Sequence, residues 1–188
     1  MIAPSTALLP SNNRANEMWS IIRLGLEHAQ SVVDFGCGYG DLAYQILRDD
    51  PHARVICADK QQNMVEIALS KCKMFEKRVT GFVCDLDDPT TIPWASQLAD
   101  VAICTSVLPY VRWGTVLVQL AQYFNTVFIE CQYRGDGPGL KNIESDTDFS
   151  MLLQKAGFED HFKMGSTDII DRGKSRSIWK CYGGPKHE

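Results

Sequence analysis

The sequence predicts an α/β fold in which strands and helices alternate to build a doubly wound sheet. Five short segments rich in apolar and β-branched residues occur between residues 31 and 130, and helical segments separate them. Two later segments, Phe158–Met164 and Arg176–Cys181, have alternating or apolar character and predict a closing pair of strands. A glycine-rich turn follows the first strand, which is typical of ligand-binding sheets of this class.

The composition indicates one globular domain, residues 1–188, large enough to bury an apolar core. The net charge of −4 argues against a surface that binds duplex nucleic acid. Seven cysteines without a C-x-x-C pair are expected to be small hydrophobic residues in a reducing compartment, with no metal site. Because no apolar run is long enough to span a membrane, we expect a cytoplasmic protein without membrane contact.

The N-terminal region begins with an irregular arm, predicted over residues 1–13 from its prolines and asparagines. Arg14–His28 then has apolar residues at helical spacing and predicts an amphipathic helix. This helix ends just before the first strand. It can therefore pack beside the site that the strand helps to form.

The segment Ser31–Phe35 predicts the first strand, which continues into Gly36, Gly38 and Gly40. Glycine adopts positive φ without strain and lets a ligand approach the backbone closely. The helix predicted over Asp41–Arg48 directs its free N–H groups and the positive end of its dipole at the same turn. Strand, turn and helix together predict a site for the polar part of a nucleotide-like ligand.

The segment Asp34–Gly40, an acid followed by Gly-x-Gly-x-Gly, resembles the first motif of the class I S-adenosylmethionine-dependent methyltransferases. The dinucleotide-binding pattern G-x-G-x-x-G would need glycine at position 41, where this chain has Asp41. Further positions that resemble motifs of the family follow in order at 59–60, 85–86 and 100–110. The resemblance implies a mostly parallel seven-stranded sheet with helices on both faces and an antiparallel C-terminal strand pair.

Acidic residues follow the second and third predicted strands, Ala53–Ala58 and Thr80–Cys84. Asp59 stands 23 positions after the first motif glycine, near the spacing of roughly 20 at which a ribose-binding acid follows such a turn. A carboxylate can accept both ribose hydroxyl protons at once. A helix is predicted over Gln62–Lys73, and the two prolines of 89–98 predict a structured connection.

The fourth predicted strand, Asp100–Cys104, leads into Thr105–Val111, which resembles the family's fourth motif. Methyltransferases of DNA amino groups carry Asp/Asn/Ser-Pro-Pro-Tyr/Phe there, and this chain does not. A helix over Thr115–Phe124 precedes the fifth strand, Thr126–Glu130. The following loop, Cys131–Gly139, contains three glycines beside polar side chains, and a mobile substrate lid and a plain solvent loop are equally good interpretations of it.

The C-terminal part begins with a helix predicted over Thr147–Ala156, which Gly157 ends. The connection between the closing strands carries three basic residues, Arg172, Lys174 and Arg176. They form either a solvated turn or a basic hairpin that meets an anionic substrate.

The resemblance implies S-adenosyl-L-methionine as the cofactor and S-adenosyl-L-homocysteine as its product. The implied binding residues are Arg14, Asp34, Gly36, Cys37, Gly38, Gly40, Asp59, Lys60, Asp85, Leu86, Cys104 and Thr105. In the family, the glycine turn and the acid before it hold the methionine end, the acid after the second strand holds the ribose, and the acid after the third holds the adenine. For Arg14, pairing with the methionine carboxylate and a solvated surface position both stay open.

The implied reaction is methyl transfer to an O or N atom of an acceptor. A small-molecule acceptor fits best because the sequence predicts no added recognition domain and the net charge is acidic. Tyr110, Glu130 and Tyr133 are the candidate catalytic residues by their position at the carboxyl edge of the sheet. An RNA, DNA or protein acceptor is the alternative and rests on the three basic residues, and a non-catalytic cofactor-binding module is the third hypothesis.

Overall fold

The computed structural model describes residues 13–26, 31–93, 98–133, 143–166 and 176–184. These residues form the strands β1 Ser31–Phe35, β2 Arg54–Asp59, β3 Val79–Val83, β4 Val101–Cys104, β5 Thr126–Gln132, β6 Asp160–Ser166 and β7 Arg176–Tyr182. Their helices are α1 Asn13–Ile22, α2 Asp41–Asp49, α3 Gln62–Lys71, α4 Trp113–Tyr123 and α5 Asp146–Ala156. Short 3₁₀ helices occur at Lys73–Arg78, Pro89–Thr91 and Leu108–Tyr110.

The strands form one sheet in the order β3-β2-β1-β4-β5-β7-β6. The first five are parallel, whereas β7 is antiparallel to both β5 and β6. This arrangement confirms the predicted fold class. The chain leaves β1 on one side for β2 and returns on the other for β4, so the strand order reverses at β1. Open α/β sheets bind ligands at the carboxyl edge of such a reversal, which is where the glycine turn lies.

Two apolar cores lie on opposite faces of the sheet. On one face, α1, α2 and α3 pack through residues such as Ile22, Ile46 and Ala68. On the other, α4 and α5 pack through residues such as Leu120 and Phe149. Successive strand residues point to opposite faces. The side chains of β5 therefore alternate between the two cores.

Most element boundaries lie one or two residues from the sequence prediction. Two of the differences have a clear structural cause. Helix α1 ends at Ile22, six residues early, because the chain tightens into i→i+3 bonds from Leu24 to Ile21 and from Gly25 to Ile22. Strand β5 continues through Gln132, because its last residues pair with the start of β7 and are buried. The predicted loop therefore begins two residues later than expected.

Several predicted segments lie outside the described residues. They are most of the N-terminal arm, the last two residues of the helix predicted over Arg14–His28, part of the connection 89–98, the glycine-containing loop from Arg134 onward and the whole connection between β6 and β7. Within the part of the chain that the structure describes, no helix is long and apolar enough to cross a membrane.

Helix α5 is capped at both ends. The C-terminal cap, Gly157, is the one that the sequence predicts. Gly157 caps it with φ of 100°, and Ser145 and Asp148 form a reciprocal capping box at the N-terminus. We expect Ser145→Ala to lower the free energy of unfolding by about 1 kcal/mol, because a backbone N–H loses its acceptor. Urea unfolding measures this loss. Thr147→Ala, an exposed change in the same helix, is the control, and an equal loss there would contradict the capping role.

Candidate functional site

A cavity of about 330 Å³ lies at the carboxyl edge of the sheet, where the strand order reverses. Its wall is formed by the glycine turn, by the residues that follow β2 and β3, and by the loop after β4. The lining residues are Gly36, Asp59, Lys60, Gln61, Cys84, Asp85, Leu86, Ser106, Val107, Tyr110 and Val111. The structure therefore brings together residues from four of the predicted motif regions.

The glycine turn is fastened to β2 and leaves an open cradle at its centre. The N–H groups of Gly36 and Cys37 both donate to the Ala58 carbonyl, at 2.7 and 3.1 Å. Gly38 has φ of 51°, and a Cβ placed there would meet nothing within 4 Å. Helix α2 begins directly afterwards without a side-chain cap, so N–H groups of its first turn face the turn region. This geometry suits a polar ligand that lies against the backbone.

The Asp59 carboxylate stands at the centre of this arrangement. One oxygen accepts the Gly38 N–H at 3.0 Å and the other accepts the Gln61 N–H at 2.9 Å. Each carboxylate oxygen has a further lone pair. The group is therefore fixed by the backbone and still able to accept hydroxyl protons from a ligand in the cavity.

Asp34, at the end of β1, is a buried acid beside the glycine turn. Desolvation, and next the nearby charge of Asp59, raise the pKa of Asp34 to about 7. Such a group is stabilised in its charged form by a cationic ligand. The ammonium and sulfonium charges of S-adenosylmethionine fit this requirement.

The residues after β3 add a charged pair to the cavity. Lys60 Nζ lies 2.6 Å from Asp85 Oδ2, and Asp85 Oδ1 accepts the Asp87 N–H at 3.0 Å. The hydrogen bond from Lys60 and then that from the Asp87 backbone lower the pKa of Asp85. Leu86 follows and is buried. Asp85 thus offers an ionised acceptor next to an apolar surface, a combination that suits an aromatic amine.

The loop after β4 closes the cavity on its other side. Cys104 and Thr105 are buried, and Ser106 and Val107 line the cavity. A Cβ at Gly36 would lie 2.2 Å from Val107 Cγ2, so this loop packs directly on the glycine turn. Sequence reasoning singled out the backbone of Cys104 and Thr105 and missed Ser106. Nothing in the sequence marks the unusual conformation of Ser106, whose φ is 62°.

The three candidate catalytic residues have very different surroundings. Tyr110 lines the cavity and is 81% exposed. Glu130 is buried and lies beneath Ser106, from which its carboxylate accepts hydrogen bonds. The Tyr133 hydroxyl bonds to Asp146 and Ser177. Burial and then the bond to Asp146 raise the pKa of Tyr133.

Arg14 pairs with Glu130 and is not among the residues that line the cavity. Its guanidinium is connected to the cavity wall through Glu130, which accepts hydrogen bonds from Ser106. Cys37 is buried within the glycine turn.

The seven cysteines are buried and unpaired. Desolvation raises the pKa of Cys72 and Cys84 to about 12, which keeps them as unreactive thiols. In the described ranges, no group of His, Cys, Asp and Glu side chains could hold a metal ion.

Comparisons with known proteins agree with this geometry. A family model described as a methyltransferase domain matches residues 32–127, just over half of the chain. No curated protein matches the sequence.

Solved structures share the fold at low sequence identity. The N-terminal domain of EvdMO1 with SAH bound is 13% identical, with 91% of this chain and 80% of that chain covered at a TM-score of 0.65. The methyltransferase domain of bacterial CtHen1-C is 17% identical, with coverages of 91% and 97% and a TM-score of 0.63. The bifunctional kinase-methyltransferase WbdD is 16% identical, with coverages of 93% and 40% and a TM-score of 0.69. This chain likewise spans only 40% of the longer EvdMO1 chain.

The family match covers the strand, glycine turn and acidic residues that form the cavity. The cofactor is S-adenosyl-L-methionine, whose charges and hydroxyls the cavity suits. The chain therefore belongs to the class I S-adenosylmethionine-dependent methyltransferases.

Proposed function

We propose that this methyltransferase transfers the methyl group to an O or N atom of a small-molecule acceptor. The observation that carries this proposal is the charge of the described residues that line the cavity: Asp59 and Asp85 contribute two carboxylates, and Lys60, which pairs with Asp85, contributes one cation. A cavity lined by these charges disfavours a polyanionic acceptor and suits a neutral or cationic one. The solved N-terminal domain of EvdMO1 in the presence of SAH and D-fucose, at 12% identity, supports a hydroxyl-bearing acceptor by analogy of fold only.

One of the three basic residues on which a nucleic-acid acceptor rests does not support it. Arg176, assigned to a basic hairpin, lies in β7, is buried and pairs with Glu130. It does not offer its charge to a phosphate backbone. The other two basic residues, Arg172 and Lys174, lie outside the described residues.

The bound cofactor supplies an electrophilic methyl group on a sulfonium, so the protein's task is mainly alignment and binding. We assign the ammonium end to Asp34 and to the backbone of Cys104 and Thr105, beside the turn that contains Gly36, Cys37, Gly38 and Gly40. Asp59 accepts the ribose hydroxyls. Asp85 and Leu86 bind the adenine, and Lys60 orients Asp85. Tyr110, exposed at the cavity, is the candidate that contacts the acceptor.

We expect Asp59→Ala to weaken the binding of S-adenosylhomocysteine by about tenfold or more, because a charged acceptor is lost and the Gly38 N–H loses its partner. Calorimetric titration measures the dissociation constant. Glu66→Gln, on the exposed surface of α3, removes the same charge away from the cavity and should leave the affinity unchanged. Equal affinity of the Asp59 variant and the wild type would refute the ribose assignment.

The acceptor class is tested with cofactor labelled in the methyl group. The protein is incubated separately with small hydroxyl and amine compounds including hexoses, with total RNA and DNA, and with a protein extract. Label in the small-molecule fraction supports the proposal. Label in nucleic acid or protein would refute it, and tight cofactor binding with no label in any fraction would indicate the non-catalytic binding module.

A further inference from the structure

A buried ionic cluster lies below the loop that follows β4. The Glu130 carboxylate is 1% exposed and accepts hydrogen bonds from Arg14 Nη2 at 2.8 and 3.1 Å. Arg176 Nη1 lies 3.4 Å from the same carboxylate. The two guanidinium groups come from α1 and β7, so they approach from separate elements. A buried carboxylate needs such charge partners, and together they fix its position.

The same carboxylate holds the backbone of Ser106. It accepts the Ser106 N–H at 2.8 Å and the Ser106 hydroxyl at 3.1 Å. Among the residues that the structure describes, Ser106 is the one non-glycine residue with positive φ. A residue with a Cβ is strained in this conformation and keeps it only where its surroundings hold it. The two charge-assisted hydrogen bonds to Glu130 keep Ser106 in this conformation.

The conformation of Ser106 determines the shape of the cofactor cavity. Ser106 and Val107 line the cavity, and Val107 packs against Gly36 at the opposite wall. If Ser106 relaxed to a negative φ, the direction of the chain at Val107 would change. The wall against the glycine turn would then shift.

We infer that Glu130 is a positioning residue for cofactor binding: clamped by Arg14 and Arg176, it holds Ser106 in the left-handed conformation that completes the cavity wall. The inference rests on the cofactor cavity used in the proposed function. It gives Glu130 a role other than that of a base that takes a proton from the acceptor. It also gives Arg14 a role through Glu130 and not through direct contact with the cofactor.

A double-mutant cycle tests the inference, with the dissociation constant for S-adenosylhomocysteine measured by calorimetry. Glu130→Gln should weaken binding by about tenfold, because Ser106 loses charged acceptors that held its strained backbone. Ser106→Gly should weaken binding less than Glu130→Gln does, because glycine adopts this φ freely. The double variant should bind as well as Ser106→Gly alone and better than Glu130→Gln. Adding the glycine would thus rescue the loss.

Two results would overturn the inference: unchanged affinity in Glu130→Gln, as expected of a catalytic base, or losses that simply add in the double variant. If circular dichroism shows that Glu130→Gln does not fold, Arg14→Met, at a partly exposed position, takes its place. It should weaken binding in the wild-type background and have no effect in the Ser106→Gly background. An equal loss in both backgrounds would indicate direct contact with the cofactor and overturn the inference. A wild-type protein that does not bind S-adenosylhomocysteine would overturn the cofactor assignment itself.

Discussion

Replacing Asp34 by asparagine is expected to stabilise the cofactor-free protein at pH 8 by about 4 kcal/mol and to leave its stability at pH 4 nearly unchanged. The pKa of Asp34 is raised from its ordinary value of 3.8 to about 7 in the folded protein. Between these values the folded state binds more protons than the unfolded state, so the stability of the wild type falls as the pH rises from about 4 to about 7. Asparagine does not titrate and avoids the cost of a buried charge.

Urea unfolding at pH 4, 6 and 8 measures this effect. The variant and the wild type should differ little at pH 4 and increasingly toward pH 8. Asp85→Asn is the matched control, because the pKa of Asp85 is lowered and its stability effect has the opposite sign. A difference for Asp34→Asn that stays constant across the pH range would contradict the burial of a titrating carboxyl.

The Asp34→Asn variant, although more stable, is expected to bind the cofactor poorly. S-Adenosylmethionine carries positive charge, and our proposal assigns its ammonium end to Asp34, the acid at the end of β1. The affinity of the wild type for the cofactor should therefore fall as the pH is lowered from 8 to 6. At pH 8, Asp34→Asn should bind about tenfold or more weakly than the wild type, and its affinity should be nearly independent of pH. Calorimetric titrations at the two pH values decide this. A parallel pH dependence in both proteins would assign the titration to another group.

The fold could be predicted from sequence because its signals are local. The apolar run of Ser31–Phe35, the glycines that follow and the acid at position 59 each depend on residues close in the chain. The structure adds the register that places these segments at one edge, with Asp34 opposite Cys57. The extension of β5 through Gln132 escaped prediction, because it depends on pairing with β7, which begins more than forty residues later.

The buried cluster escaped prediction for the same physical reason. Arg14 and Glu130 are separated by 116 positions and meet only because α1 packs on β6 and β7, next to β5 in the sheet. Seen alone, Glu130 is an acid at the end of a strand and was a natural candidate for catalysis. The strained backbone of Ser106 likewise depends on a side chain from another strand. Interactions of this kind are set by tertiary packing and leave no periodic pattern in the sequence.

Alanine substitution at two glycines of the same turn is expected to affect two different properties, stability at Gly40 and cofactor affinity at Gly38. Gly40 has φ of 72°, and a Cβ there would lie 2.7 Å from Ala68 Cβ and 2.8 Å from Ala68 Cα in α3. Backbone cannot move away as a flexible side chain can, so Gly40→Ala combines strain with overpacking. We expect it to lower the free energy of unfolding by about 3 kcal/mol.

At Gly38 the added methyl group meets no protein atom within 4 Å. Its φ of 51° imposes strain alone, so Gly38→Ala should cost only about 1 kcal/mol of stability. The methyl group would occupy the open cradle, however, where the cofactor is expected to approach the backbone. S-Adenosylhomocysteine should therefore bind at least about tenfold more weakly, although the protein stays folded.

Urea unfolding and calorimetric titration of both variants separate the two roles. The expected pattern is a larger loss of stability in Gly40→Ala and a larger loss of affinity, relative to stability, in Gly38→Ala. If Gly38→Ala bound the cofactor like the wild type, the space at position 38 would not be the cradle, and the ligand would have to enter elsewhere along the carboxyl edge. If the loss of affinity in each variant were proportional to its loss of stability, the turn would be a structural connection between β1 and α2. The cofactor's methionine end would then depend on Asp34 and the loop after β4.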